Sequence, residues 1–350
     1  MLLRDLPPEL LSLIISLVGG PYDRDDYASR LKDLRNCCLV SRAFRQIAQP
    51  ELFAIIEVRG RKRLEAFRAA AKATELGRTT ATAVLRSPPS DVHGLMTADV
   101  GAALEELPSL REVRISWVDG IDMAWLAGLP ELRHLVLYRV TLTSSSPSFA
   151  LPRLVQFSAC WTETDPSLSP ACFSAETMPS LRLAAIVAAQ DHRDWPGYLM
   201  EQLSPDLASK LEFMVIEFID WSDAHSVSPS CGPRTLLDCY FTRCQSPFDP
   251  TLPPISHLRV RPTPMSSPMI AVATLTDMLT ASHPALSTLR SIHLPIELGL
   301  NQVSQPYQHL SSVCAQKGVK IVLDAYPHID VHSYIPRRIS EWIGTKGSRD

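Results

Sequence analysis

Four related stretches decide the fold: LPSLREVRIS (107–116), LPELRHLVLY (129–138), LPRLVQFSAC (151–160) and MPSLRLAAIV (178–187). Each opens on an apolar residue, then Pro, any residue and Leu, and places apolar residues at its seventh and ninth positions. Successive copies start 22, 22 and 27 residues apart. Alternating apolar residues have the period of a strand, whose side chains point to opposite faces in turn. The preceding proline, with φ already fixed, turns the chain into that strand. One such unit cannot bury its apolar face, but a stack of them can. Fainter copies follow. They are Leu211, Met214 and Ile216, then Leu236, Cys239 and Phe241, then Ile255, Leu258 and Val260, and then Leu289, Ile292 and Leu294. GVKIVLD (318–324) reads as a last strand.

Upstream, residues 5–53 carry a helical pattern. Pro7 suits a first helical turn, where its missing N–H costs nothing. Leu10, Leu13, Ile14, Leu17 and Val18 then recur at helical spacing, and Gly19-Gly20-Pro21 stops the helix. A second helix is expected from about Tyr27 to Cys38. Ser41 fits the N-cap of a third, which carries Phe44 and Ile47 and closes at Pro50. Three short helices in so few residues bury little core on their own and are completed by a partner or by the rest of the chain. Between the module and the repeats, LFAIIEV (52–58) predicts a strand, RKRLEAFRAAAKATE (61–75) a helix and TATAVLRS (80–87) a first repeat strand.

The repeat spacing resembles that of leucine-rich repeats. Their consensus asparagine is missing, since Val118, Val140 and Thr162 stand after the strands, and spacing stretches to 34 between Ile255 and Leu289. The N-terminal module resembles an F-box of the fungal type. The resemblance rests on Leu6, Pro7, Glu9, Leu10, Leu11 and Ile14. It continues in Leu34, Cys37, Leu39, Val40, Ser41, Arg42, Phe44, Arg45, Ala48, Pro50, Leu52 and Phe53. It departs from the shorter pattern in the loop from Gly19 to Ser29. Together the resemblances imply an α/β chain with an N-terminal three-helix F-box at 1–53 and a junction strand and helix at 54–86. A leucine-rich-repeat-like solenoid with a curved parallel sheet follows at 87–325, and a C-terminal tail at 326–350. A globular α/β domain with a parallel sheet is the alternative architecture.

The F-box resemblance implies a Skp-type adaptor and a cullin ligase core as partners. Leu6, Pro7, Leu10, Leu11, Ile14, Leu39, Val40 and Phe44 are the adaptor-binding residues. The implied function is that of a non-catalytic substrate-recognition subunit of an SCF-type ubiquitin ligase, which holds an unknown protein target on its repeats. A Skp-binding or repeat-based scaffold without a ubiquitination role is the alternative. Ser116, Trp117, Tyr138, Arg139, Cys160 and Trp161 follow the repeated strands at equivalent places and are expected exposed. Among them Trp117, Tyr138, Arg139 and Trp161 are the candidate target-binding residues, of the types enriched at binding hot spots. Packing of the tryptophans inside loops is the competing reading.

Hydrophobic residues make up 45% of the 350 residues, enough for a sizeable core, and the net charge of −3 points to neither nucleic acid nor an anionic membrane. No apolar run approaches the ~18 residues of a membrane span. The apolar N-terminus is interrupted by Asp5, Pro7, Pro8 and Glu9 and reads as a folded helix and not as a secretion signal. Eight cysteines without such a signal read as reduced thiols, and the expected compartment is cytosol or nucleus. His192-Arg193-Asp194 spells a kinase triplet without the other kinase motifs. Cys231, Cys239 and Cys244 fit zinc spacing poorly. His257, His283 and His293 are scattered. No metal, cofactor or catalytic residue is expected. The basic run Arg59-Gly60-Arg61-Lys62-Arg63, with Arg68 and Lys72, reads as a solvated face, with phosphate binding or a nuclear address as alternatives.

Overall fold

A computed structural model describes residues 7–19, 27–73, 76–87, 95–146, 149–160, 162–165, 168, 172–187, 204–211, 213–217, 236–241, 257–262, 268–282, 286–295 and 304–324. The chain is mixed α/β with parallel sheets. It forms two compact units, Met1–Val118 with Gly128–Arg133, and Asp119–Ala127 with His134–Asp350.

The first unit opens with three helices, α1 (Pro8–Gly19), α2 (Tyr27–Val40) and α3 (Arg42–Ala54). Ser41 caps α3, its Oγ accepting from the Phe44 amide at 3.2 Å, as serine at an N-cap does. Leu11 and Ile15 on α1, Leu34 on α2, and Phe44 and Ala48 on α3 form one small core, with Cys37, Cys38, Ile47 and Leu52 partly buried against it. Pro50, expected to end α3, lies inside it, and Leu52–Ala54, expected in a strand, are its last turn. The end of the helix holds because its carbonyls find partners. Arg30 donates to the Glu51 carbonyl at 2.8 Å, Thr80 Oγ1 to that of Phe53 at 3.1 Å, and the Ala81 amide to that of Ala54 at 2.9 Å.

The chain then alternates strand and helix through β1 (Ile55–Arg59), α4 (Arg61–Ala73), α5 (Leu76–Thr79), β2 (Thr82–Arg86), α6 (Thr97–Glu105) and β3 (Glu112–Asp122). β1 pairs with β2 and β2 with β3, all parallel and in chain order, with Val58 opposite Leu85 and Leu85 opposite Ile115. Those three side chains, and Ile56, Ala83 and Val113 one row away, are buried. Gly60, at φ +76°, makes the turn from β1 into α4, a conformation that glycine adopts without steric cost.

The second unit contains α7 (Met123–Ala127), β4 (His134–Thr143), β5 (Gln156–Cys160), β6 (Glu163–Thr164), β7 (Leu183–Val187), α8 (Pro205–Lys210) and β8 (Phe213–Glu217). It continues with β9 (Leu236–Phe241), β10 (His257–Pro262), α9 (Pro268–Thr280), β11 (Ser291–Pro295), α10 (Gln305–Gln316) and β12 (Lys320–Asp324). β4, β5, β7 and β8 are parallel neighbours in that order, and β6 extends the pairing along β4. β9, β10, β11 and β12 form a parallel run of their own, again in chain order.

The repeated phrase folds the same way in each copy. The Leu110 amide donates to Leu107, Leu132 to Leu129, Leu154 to Leu151 and Leu181 to Met178, each at 3.2 Å, closing a β-turn with proline at its second position. Both apolar ends of every turn are buried, and the proline between them is exposed. A fifth copy, Leu286–Leu289, makes the same 3.2 Å bond with Ser287 in the place of proline. The residue after the first, second and fourth turns then hooks onto the preceding strand's start, and Lys320, which follows no such turn, makes the same bond at the start of β11. Arg111 donates to Ala81 at 2.8 Å, Arg133 to Arg111 at 2.8 Å, Arg182 to Val155 at 3.0 Å and Lys320 to Arg290 at 2.9 Å.

Candidate functional site

α1 is apolar on two faces. Leu11 and Ile15, one turn apart, point into the three-helix core, while Leu10, Leu13, Ile14 and Leu17 occupy a second face at i, i+3, i+4 and i+7 and are exposed. Leu39 and Val40 end α2 equally uncovered. Leu17 is 75% and Leu39 76% exposed. Of the seven large hydrophobic residues exposed among the described ones, six lie on these two helices, the other being Met96. A short helix that is apolar all round is normally buried, and a concentration of uncovered leucines marks a surface made for a partner.

Of the expected adaptor-binding residues, Pro7, Leu10, Ile14, Leu39 and Val40 are on the surface. Leu11 and Phe44 are not: at 3% and 5% exposure they belong to the core and act only by holding the helices. Leu6 lies outside the described residues. Leu13 and Leu17, not expected at the site, join it. Their i+3 and i+7 spacing from Leu10 was the available signal. The apolar spacing merges two faces: Leu11, Ile15 and Val18 make the inner one, and Leu10, Leu13, Ile14 and Leu17 the outer one.

The module is tied to the sheet of its own unit by α2. The Tyr27 hydroxyl accepts from the Glu57 amide at 3.1 Å and donates to the Ile55 carbonyl at 3.3 Å. Residues 54 and 60 bond toward β2, so Ile55 and Glu57 present their backbone to the opposite, outer edge of β1, and Tyr27 caps that edge. Burial pushes the phenol pKa up and lowers that of Arg30, which grips α3 from the same helix.

Of the expected target-binding positions, Trp117 and Tyr138 are half-buried and Arg139 is exposed, while Trp161 lies outside the described residues. Ser116 and Cys160, expected exposed, are buried between neighbouring strands. Trp117 and Arg139, 22 residues apart and equivalent in the phrase, share a left-handed backbone at φ +61° and +50°. Bulky residues rarely adopt it.

The basic run is folded, with Arg59 closing β1 and Arg61, Lys62 and Arg63 opening α4. Arg59 pairs with Glu57 at 2.7 Å, Arg61 with Glu65 at 3.1 Å and Asp99 at 3.5 Å, and Arg68 and Lys72 with Glu106 at 3.2 and 3.3 Å. Among the described residues Lys62 and Arg63 have no such partner. Cys37, Cys38, Cys160, Cys172 and Cys314 are free thiols. Burial raises the Cys314 pKa to about 11. His293 Nε2 lies 3.1 Å from Ser291 Oγ on the same strand. Residues 192–194, His283, Cys231 and Cys244 are outside the described residues. Among those described, no three His, Cys, Asp or Glu side chains gather as a metal site, and no helix is long and apolar enough to cross a membrane.

No protein-family model matches the chain, and no curated protein matches it either.

Proposed function

We propose that the chain is the substrate-recognition subunit of an SCF-type ubiquitin ligase, docking a Skp-type adaptor through residues 7–53 and a protein target through its repeats. The observation that carries the reading is the uncovered apolar face of Leu10, Leu13, Ile14 and Leu17, with Leu39 and Val40. Four of these six, Leu10, Ile14, Leu39 and Val40, are among the residues whose order resembles an F-box. The side chains are too exposed to serve the core of their own unit. Covering a large aliphatic side chain is worth about 1.5–3 kcal/mol. Six that are 39% to 76% exposed therefore supply enough to hold a partner helix even after association costs.

Parallel strands that follow chain order, five of them (β3, β4, β5, β7 and β11) preceded by the same buried-leucine turn, support a leucine-rich-repeat-like solenoid. Such a stack offers a long surface on which successive repeats present side chains at a fixed spacing, as target recognition requires. The ligase core would bring a charged conjugating enzyme to the bound target, and the chain itself contributes binding alone.

The test is a pair of polar substitutions, Leu10→Asp with Leu17→Asp, in the full chain. Both side chains are exposed, so the melting temperature should stay within a few degrees of wild type. Capture of the purified adaptor should disappear. Undiminished adaptor binding by the folded variant refutes the docking face. Adaptor binding without any loss of target turnover on deletion of the chain would leave a scaffold in place of a ligase subunit.

A further inference from the structure

We infer that the outer edge of β12 is the contact of a homodimer, in which two copies of the chain pair their β12 strands antiparallel and join their four-stranded sheets into one. β12 stands at the end of the run from β9 and, among the described residues, pairs with β11 alone. The Lys320 amide bonds to the Arg290 carbonyl at 2.9 Å. Successive residues of a strand bond to opposite sides, so Lys320, Val322 and Asp324 turn their backbone groups to β11, and Ile321 and Leu323 turn theirs outward. Among the described residues nothing bonds to those outward groups. At β1 the Tyr27 hydroxyl serves both an amide and a carbonyl of the outer edge; no described side chain does this for β12. An open edge is a template for another strand.

The side chains at this edge are apolar and lose the cover that the inner strands have. Ile321 lies in register with Ile292, and Leu323 with Leu294. Ile292 and Leu294 are fully buried, as is Leu258 one strand further in, whereas Ile321, Val322 and Leu323 are all part-exposed. The apolar row thus reaches the edge of the sheet and is not closed there by any described element. A stack of repeats needs something over its terminal unit. Nothing in β12 discourages a partner strand: it contains no proline, and its charges stand only at its two ends.

A second copy fits this edge better than an unrelated strand does, because the sequence KIVLD (320–324) is complementary to itself. Antiparallel pairing about Val322 sets Ile321 opposite Leu323 of the second copy, and the reverse. Each such pair exchanges two hydrogen bonds, since both residues already turn their backbone outward. The same register sets Lys320 opposite Asp324 of the second copy at both ends, and opposite charges so placed favour it. Within its own sheet neither position faces a charge, for Lys320 is in register with Ser291 and Asp324 with Pro295. Residues directly opposite share a face, so Ile321 and Leu323 of each copy continue the apolar row of the other. A two-fold contact of this kind uses up both edges and stops at two chains.

The experiment is sedimentation equilibrium of the full chain over a range of concentrations. One strand pair covers less than a standard interface, so the mass should rise from 38.8 kDa toward twice that value with a dissociation constant on the order of 10 µM. Lys320→Asp sets like charges opposite each other at both ends and should weaken the dimer about tenfold. Lys320→Asp with Asp324→Lys should restore it. Ile321→Pro removes an outward N–H, where an edge strand tolerates proline, and should abolish the dimer; if that variant fails to fold, the charge swap decides. The Leu10→Asp/Leu17→Asp chain should dimerise as wild type does, and loss of its dimer would move self-association to α1 and overturn the proposal. A monomer at every concentration also overturns it. In such a monomer, Ile321 and Leu323 amides that resist deuterium exchange would assign the edge to another part of the same chain. A dimer indifferent to Lys320→Asp, or a swapped variant no tighter than Lys320→Asp alone, removes this register and the proposal with it.

Discussion

Removing one oxygen at Tyr27 tests how the helical module is fixed to its sheet. In Tyr27→Phe the ring stays, but the Glu57 amide loses its acceptor at 3.1 Å and the Ile55 carbonyl its donor at 3.3 Å. A buried group left without a partner costs about 1–3 kcal/mol. Tyr27 is only half-buried, so water relieves part of this, and about 2 kcal/mol is expected. At 1.36 kcal/mol per factor of ten, the Glu57 amide should exchange with deuterium about 30-fold faster. The urea midpoint of the first unit should fall with it. Alkaline pH gives a second reading. Burial raises the phenol pKa in the folded chain above its ordinary value of 10. The stabilisation is therefore complete below pH 10 and is lost as pH rises through the raised value, when the unfolded chain ionises first. Tyr27→Phe should lose that part of the alkaline decline. Equal Glu57 exchange and an equal midpoint in the variant would mean that water already serves the edge of β1 and that Tyr27 fixes nothing.

Gly77→Ala should cost about 3 kcal/mol in a urea melt, because a Cβ there would run into the backbone carbonyl of Glu106, a residue whose side chain is held by Arg68 and Lys72. Arg139→Gly should be about 1 kcal/mol more stable than Arg139→Ala, since only glycine is at ease at φ +50°; equal melting temperatures would deny the strain. Cys314, with its thiol pKa near 11, should resist iodoacetamide at pH 8.5 in the folded chain and react on unfolding. It also contributes stability that declines between pH 9 and 11.

The strands were legible because their signal is local. Every phrase with alternating apolar residues, including the faint ones near 214, 239, 258, 292 and 321, is a strand in parallel pairing. The end of α3 was not legible. Pro50 and the β-branched Ile55-Ile56 speak for an early stop, and what extends the helix to Ala54 is a set of donors from Arg30, Thr80 and Ala81, 21 to 27 residues away. Nor could the stripe on α1 be divided. At 100° per residue, Leu10, Leu11, Ile14 and Ile15 are near neighbours on the helix, and only the position of Leu34 and Phe44 decides which pair turns inward. For the same reason the candidate site gained Leu13 and Leu17 and lost Leu11 and Phe44 to the core.

The longest strands show what the repeat enforces beyond its sequence phrase. In β3, Ile115 and Val118 are both buried, and in β4, Leu137 and Val140 are, although the members of each pair are three positions apart. A regular pleat would send the two members to opposite faces. The residue just before each valine, Trp117 in one strand and Arg139 in the other, is at positive φ. One extra residue in a strand with a left-handed backbone is a bulge, which re-aims the side chains after it. In the next copy the strand is broken at this place: β5 ends at Cys160, and β6 resumes at Glu163, opposite Thr141. Tryptophan and arginine share no conformational preference, so neither causes the bend. What the two strands share at this place is the buried valine that follows. This ties Val118 and Val140, which stand where the leucine-rich consensus has asparagine, to the backbone of the two residues proposed to meet a target. Val140→Asn should then relax Arg139 out of its left-handed conformation, or unfold the repeat, before it alters any chemistry at the surface.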